Sequence, residues 1–251
     1  MALHAEVQGQ GPRLVLVHGF TQDRRCWGPE LEALADDHEL VRVDAPGHGA
    51  SSEERADLDA GAQLLGEAGG PATYLGYSMG ARLCLTLALA QRSLVRGLVL
   101  VGCTAGIEDP AERAARAEQD DRAARRLEQV GLDAFLDDWL DQPMFRGVPA
   151  ARAFRTERSQ NTVAGLAASL RLAGTGSQPP SWDRLEELTM PVLVVAGARD
   201  EKFAALGARM AAAIGPSATL SLVEGAGHAA HLEQPERFVA TVRPWLAVHG
   251  L

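Results

Sequence analysis

Short apolar runs alternate with amphipathic stretches along most of this chain. Runs of a few β-prone residues bounded by Gly, Pro, Asn or Asp read as strands. The pattern predicts strands over residues 3–7, 14–17, 40–43, 72–75, 97–101, 191–196 and 220–223. Between them, apolar positions recur at helical spacing, which predicts helices over 27–35, 58–68, 78–90, 203–214 and 235–248. Strand and helix taking turns is the mark of an α/β fold with a mostly parallel central sheet. The alternation stops between Thr104 and Trp182. That stretch predicts charged helices over 110–130, 132–140, 149–161 and 162–172, closed by a Gly-, Ser- and Pro-rich loop at 174–180. The chain therefore divides into an α/β core, residues 1–103 and 182–251, and an inserted helical cap, residues 104–181. An insertion there would roof the sheet edge where ligands bind in open α/β sheets.

With 251 residues and 46% hydrophobic content, the chain can bury one sizeable core. Its net charge of −9 argues against a general nucleic-acid surface and a polybasic membrane patch. The longest apolar stretch, 83–90, is too short to span a bilayer. The opening Met1-Ala2-Leu3-His4-Ala5-Glu6 lacks a basic and then apolar leader pattern, so a cytoplasmic location is expected. Cys26, Cys84 and Cys103 are odd in number and widely spaced. They suit buried thiols better than a disulfide framework or a zinc site, and no metal or cofactor is expected. Lys202 is the only lysine among 24 basic residues, which leaves it either a surface charge or a chosen one.

The chemistry concentrates where strands end. Gly76-Tyr77-Ser78-Met79-Gly80-Ala81-Arg82 follows the 72–75 run and opens the helix at 78–90. Gly-x-Ser-x-Gly between strand and helix reads as a nucleophile elbow, whose tight turn lifts a serine hydroxyl above the sheet. The Met79 N–H then lies at a helix N-terminus, where a negative oxygen is stabilised. Val17-His18-Gly19-Phe20 follows the second strand and offers the Phe20 N–H as a second oxyanion donor, with His18 packing locally. Asp44-Ala45-Pro46-Gly47-His48-Gly49 reads as a structural loop. Gly197-Ala198-Arg199-Asp200 and Gly225-Ala226-Gly227-His228 follow the last two strands. The order Ser78, Asp200, His228 is that of nucleophile, acid and histidine in α/β-hydrolases. His228 takes and returns the serine proton, and Asp200 fixes its tautomer and balances its cation. His231 competes for the histidine role, but the Gly-x-Gly-His turn favours His228. Arg82 follows Ser78 by one helical turn, so it projects from the same face.

In these motifs the chain resembles the 2-succinyl-6-hydroxy-2,4-cyclohexadiene-1-carboxylate synthases of menaquinone biosynthesis. The resemblance runs over nearly the whole chain. Its discriminating carriers are the elbow with Arg82, the stretch Trp139-Leu140-Asp141-Gln142-Pro143-Met144-Phe145, and Asp200-Glu201-Lys202-Phe203. Arg158-Ser159-Gln160-Asn161 and Asp121-Arg122 carry it within the cap. Ala81 departs from it, standing where a third elbow glycine is common. The resemblance implies an α/β-hydrolase-fold lyase that removes pyruvate from an enolpyruvyl cyclohexene polycarboxylate. It implies Tyr77, Arg82, Arg122, Trp139, Arg158 and Lys202 as substrate-binding residues, with guanidinium forks taking carboxylates. By its surroundings alone, Arg122 reads better as part of a solvated helix face. The triad alone also fits an esterase, thioesterase or carbon–carbon-bond hydrolase with an acyl-enzyme, or a non-catalytic ligand receptor.

Overall fold

Seven strands build a single sheet in this computed structural model, which describes residues 2–251; Met1, the first residue of the expected core segment, lies outside them. In chain order the elements are β1 (Ala5–Gln8), β2 (Arg13–Val17), α1 (Pro29–Glu32), β3 (Glu39–Val43), α2 (Leu58–Gly69), β4 (Ala72–Tyr77), α3 (Met79–Ala90) and β5 (Val95–Val101). Then come α4 (Pro110–Leu140), α5 (Arg155–Arg158), α6 (Val163–Ala173), β6 (Val192–Gly197), α7 (Glu201–Ile214), β7 (Ala218–Val223), α8 (Ala230–Glu233) and α9 (Pro235–His249). The sheet order is β1-β3-β2-β4-β5-β6-β7; β1 is antiparallel to β3, and all other pairs are parallel.

The inner strands β2, β4, β5 and β6 read as nearly continuous apolar runs because both sheet faces are covered there. Successive residues point to opposite faces. Val15 and Val17 join a layer with Leu83 and Leu87 of α3. Leu14 and Leu16 join the other layer, with Leu31 of α1 and Phe238 and Val242 of α9. The strand order reverses between β2 and β4, because β3 lies on one side of β2 and β4 on the other. At such a switch point the connections diverge and leave a crevice above the strand ends. Phe20 follows β2 and Ser78 follows β4, so the candidate chemistry flanks this crevice.

Between β5 and β6 the chain forms only helices and turns. Asp109 starts α4 by accepting the Ala111 and Glu112 N–H groups, each at 2.8 Å, and Pro110 occupies the first turn. The predicted break between 130 and 132 is present: Gly131 leaves helical geometry at φ 79°. The two arms of α4 pack with α6 around Leu127, Phe135, Leu166 and Leu170, an apolar cluster of their own. Two helical expectations are corrected. The 149–161 stretch is a 3₁₀ turn over Ala150–Arg152 and the single-turn α5, separated by Phe154 at φ 51°. A left-handed, non-glycine residue cannot continue the hydrogen-bond ladder. The 27–35 stretch begins as α1 and continues as a 3₁₀ turn over Ala33–Asp36, after Gly28 at φ 77° sets the entry. Among the described residues no helix is long and apolar enough to cross a membrane.

Candidate active site

Ser78 stands at φ 51° and ψ −105°, a left-handed conformation that costs a non-glycine residue on the order of 1–3 kcal/mol. Its neighbours make the turn possible. A Cβ on Gly76 would collide with the Gly80 backbone, and one on Gly80 with the Val17 carbonyl. The Ser78 N–H donates to Val101 O at 2.8 Å, and its carbonyl accepts the Arg82 N–H at 3.1 Å, which starts α3. The serine is thus fixed by strand β5 behind it and helix α3 ahead of it.

His228 Nε2 lies 3.3 Å from Ser78 Oγ, and its Nδ1 lies 2.9 Å from Asp200 Oδ2. Asp200 also N-caps α7, accepting the Phe203 N–H at 3.2 Å. Burial works against its ionisation, but the His228 hydrogen bond and the Phe203 N–H outweigh it and hold the carboxyl below the ordinary range. A carboxylate here keeps the His228 proton on Nδ1 and leaves Nε2 to accept from serine. Phe203 and Tyr77 pack on the His228 ring at 4.4 and 5.5 Å. His231 is excluded from this relay. It is buried among Trp27, Tyr77 and Phe238, neither ring nitrogen has a partner, and burial depresses its pKa to about 3.

Across the crevice, neither the Phe20 nor the Met79 N–H has an acceptor among the described residues. The loop holding Phe20 is tied at several points. Gly19 N–H donates to Gln22 Oε1 at 2.8 Å. His18 Nε2 accepts the Ala45 N–H at 3.0 Å, so its proton sits on Nδ1 and is donated to Gly19 O at 2.8 Å. His48 Nε2 accepts the Thr21 N–H at 3.3 Å, and burial pushes the His48 pKa down to about 3. Asp44 ties its own loop to the segment after β2, accepting the Ala50 and Arg24 N–H groups at 2.8 Å.

Ser78, His228, Asp200, Phe20 and Met79 open into one cavity of about 1010 Å³ beneath α4 and α6. Arg82 and Lys202 line it too, and among the described residues neither has a carboxylate partner. Arg82 is buried; its Nη1 donates to Ala173 O at 2.9 Å and, at 3.4 Å, to Gly174 O. Desolvation lowers its pKa to about 10, so it stays cationic at neutral pH. Lys202 is exposed at the cavity wall, its Nζ 5.8 Å from the Phe203 ring. Trp139 also lines the cavity, edge-on to Phe20 at 5.0 Å, and its indole N–H has no partner.

Three expected substrate contacts are not in the cavity wall. Arg122 is exposed and pairs with Glu118. The cavity-facing positions of α4 include 116, 119, 120, 123 and 126; residue 122 falls at the edge of that helical stripe, and its side chain turns to solvent. Arg158 is buried behind Phe20, where it donates to Ala153 O at 2.7 Å and to Thr21 Oγ1. Tyr77 alternates to the sheet face below the crevice and supports His228 and His231. Arg116, Arg126 and Arg209, to which the sequence assigned no role, do line the cavity, each paired with Asp120, Asp138 or Glu108. Asn161 belongs to the Arg158–Asn161 stretch, but only its folded contacts give it a role.

Residues 14–241 match the model of the alpha/beta hydrolase family. A 2-succinyl-6-hydroxy-2,4-cyclohexadiene-1-carboxylate synthase of Citrobacter koseri is 35% identical over 94% of this chain and 95% of its own. Among solved structures, MenH from S. aureus superimposes with a TM-score of 0.91 at 29% identity, covering 99% of each chain. A thermophilic esterase from Thermogutta terrifontis, with malate bound, gives 0.85 at 28% identity over 98% of this chain and 93% of that one. The protein belongs to the alpha/beta hydrolase family and, within it, to the 2-succinyl-6-hydroxy-2,4-cyclohexadiene-1-carboxylate synthases.

Proposed function

We propose that this chain eliminates pyruvate from 2-succinyl-5-enolpyruvyl-6-hydroxy-3-cyclohexene-1-carboxylate, giving 2-succinyl-6-hydroxy-2,4-cyclohexadiene-1-carboxylate for menaquinone biosynthesis. The observation that carries the reading is the unpaired Arg82 guanidinium sharing one cavity with Ser78. A neutral ester gives a buried cation nothing to do, whereas a polycarboxylate supplies its counter-charge.

In this mechanism Ser78 is a base. His228 draws the hydroxyl proton, and Ser78 Oγ takes the ring proton beside the succinyl ketone. Electrons from that C–H bond form an enolate, and the Phe20 and Met79 N–H groups meet the oxygen where charge grows. The enolate then pushes through the ring double bond and breaks the carbon–oxygen bond to the enolpyruvyl group. The departing enolpyruvate takes a proton on carbon and becomes pyruvate. Arg82 and Lys202 hold carboxylates, Trp139 packs against the ring, and residues 104–181 roof the reaction.

Ser78→Ala tests this directly: pyruvate release falls by about 10²–10⁴-fold, the scale of losing a positioned base. Mass spectrometry during wild-type turnover finds no adduct on Ser78. A kinetically competent acyl-serine, or a specificity constant for a neutral nitrophenyl ester above that for the enolpyruvyl substrate, would favour a hydrolase instead.

A further inference from the structure

We infer that Asn161 is a positioning residue that sets the Phe20 oxyanion donor from the cap side. Phe20 lies on the core, in the loop after β2, whereas Asn161 follows α5 in the insertion. Asn161 is buried and uses both ends of its amide. Its Nδ2 donates to Thr21 O at 2.8 Å and to Arg158 O at 3.1 Å. Its Oδ1 accepts the Gly49 N–H at 2.8 Å. A backbone N–H only donates and a carbonyl only accepts, so the two ends cannot be exchanged. One side chain thus joins the oxyanion loop, the α5 turn and the loop after β3.

Thr21 explains why such a clamp is needed. It is β-branched yet stands at φ 67°, in the left-handed region. A residue of this kind keeps that conformation only where its surroundings over-determine it. His48 Nε2 holds the Thr21 N–H, Arg158 Nη1 holds its hydroxyl, and Asn161 Nδ2 holds its carbonyl. Of these, only Asn161 fixes the direction of the Thr21 carbonyl. Without that bond, Thr21 relaxes toward negative φ and turns the Phe20–Thr21 peptide, whose Phe20 carbonyl accepts from Arg158 Nη1 at 3.4 Å, and so shifts the Phe20 Cα that also bears the N–H. The Phe20 N–H then no longer aims at the oxygen shared with Met79. Asn161 does not touch the substrate: it is absent from the cavity wall.

The inference rests on the proposed lyase site for its first assay only. Asn161→Asp is nearly isosteric, keeps the acceptor for Gly49 N–H, and sets a carboxylate oxygen against the Thr21 carbonyl. Its kcat for pyruvate release falls about 10- to 100-fold, less than deleting a donor outright, while KM stays within about threefold. Hydrolysis of nitrophenyl acetate, which also passes through an oxyanion, falls in parallel. Asn161→Ala moves both assays in the same direction, and thermal melting verifies that each variant is folded. A folded variant with wild-type kcat in both assays overturns the inference, as does one that raises KM alone. If the wild type releases no pyruvate, the lyase reading fails, and the ester assay still decides the role of Asn161.

Discussion

Two histidines stand three residues apart after β7, and their surroundings differ. His228 has a carboxylate on one ring nitrogen and a serine on the other. His231 has aromatic rings on its faces and no partner on either nitrogen. Its depressed pKa, about 3, makes it an acid-sensitive element of the core. The unfolded chain takes up a proton near the ordinary histidine value, and the folded one does not, so stability falls as pH drops below that value. At pH 5 this amounts to about 2 kcal/mol relative to pH 7, at 1.36 kcal/mol per pH unit. His231→Phe removes that proton uptake. In urea titrations at pH 7 and pH 5 the variant loses about 2 kcal/mol less than the wild type; parallel losses would refute the assignment. At this scale the sequence marked Ser78, Asp200 and His228, which the fold brings within hydrogen-bond distance, because the elbow and the two post-strand turns are local signals. Arg122 and Arg158 stand outside the cavity wall, which no local signal marks, because their placement depends on how α4 is rotated and on a loop packed from a distant part of the chain.

The strands were legible because the inner ones are short, mostly apolar runs and the outer β1 and β7 are short β-prone segments that alternate with polar residues. Gly131 likewise announced the break in α4. The 149–161 stretch was not legible as turns, since nothing local marks Phe154 as left-handed. The contact that seats the cap on the core is equally hidden. Near the start of α6, a Cβ on Gly165 would collide with the Gly47 carbonyl, and one on Gly47, at φ 80°, with the Gly165 carbonyl. Two backbones meet there with no room between them. By propensity alone Gly165→Ala would stabilise a helix by up to about 1 kcal/mol. Here the methyl group meets backbone on the opposite side, and overpacking of that kind costs about 1–3 kcal/mol. The expected outcome is therefore a lower melting temperature and reduced pyruvate release, from a substitution that ordinarily strengthens helices. A rise in melting temperature would show that α6 is free to shift.

The whole molecule carries a net charge of −9, yet the proposed substrate is a polyanion. The cavity wall does not reverse this balance, since its cations are Arg82, Arg116, Arg126, Lys202 and Arg209 against Glu108, Asp109, Glu112, Asp120, Asp138 and Asp200. Three of those cations are already paired with carboxylates. Attraction is thus confined to Arg82 and Lys202, which act at contact distance, while repulsion acts over the whole surface. Salt separates the two ranges. Added ions screen charges more than a Debye length apart, about 10 Å at 0.1 M, and screen a buried guanidinium much less. Raising ionic strength from about 0.01 to 0.15 M therefore weakens the long-range repulsion first. The expected result is a kcat/KM for pyruvate release that rises modestly over this range, with kcat nearly unchanged. Arg82→Ala lowers kcat/KM at every salt concentration but keeps the upward slope, because the slope belongs to the surface and not to the site. A steep fall with salt would mean that surface charge steers the substrate inward, contrary to this distribution.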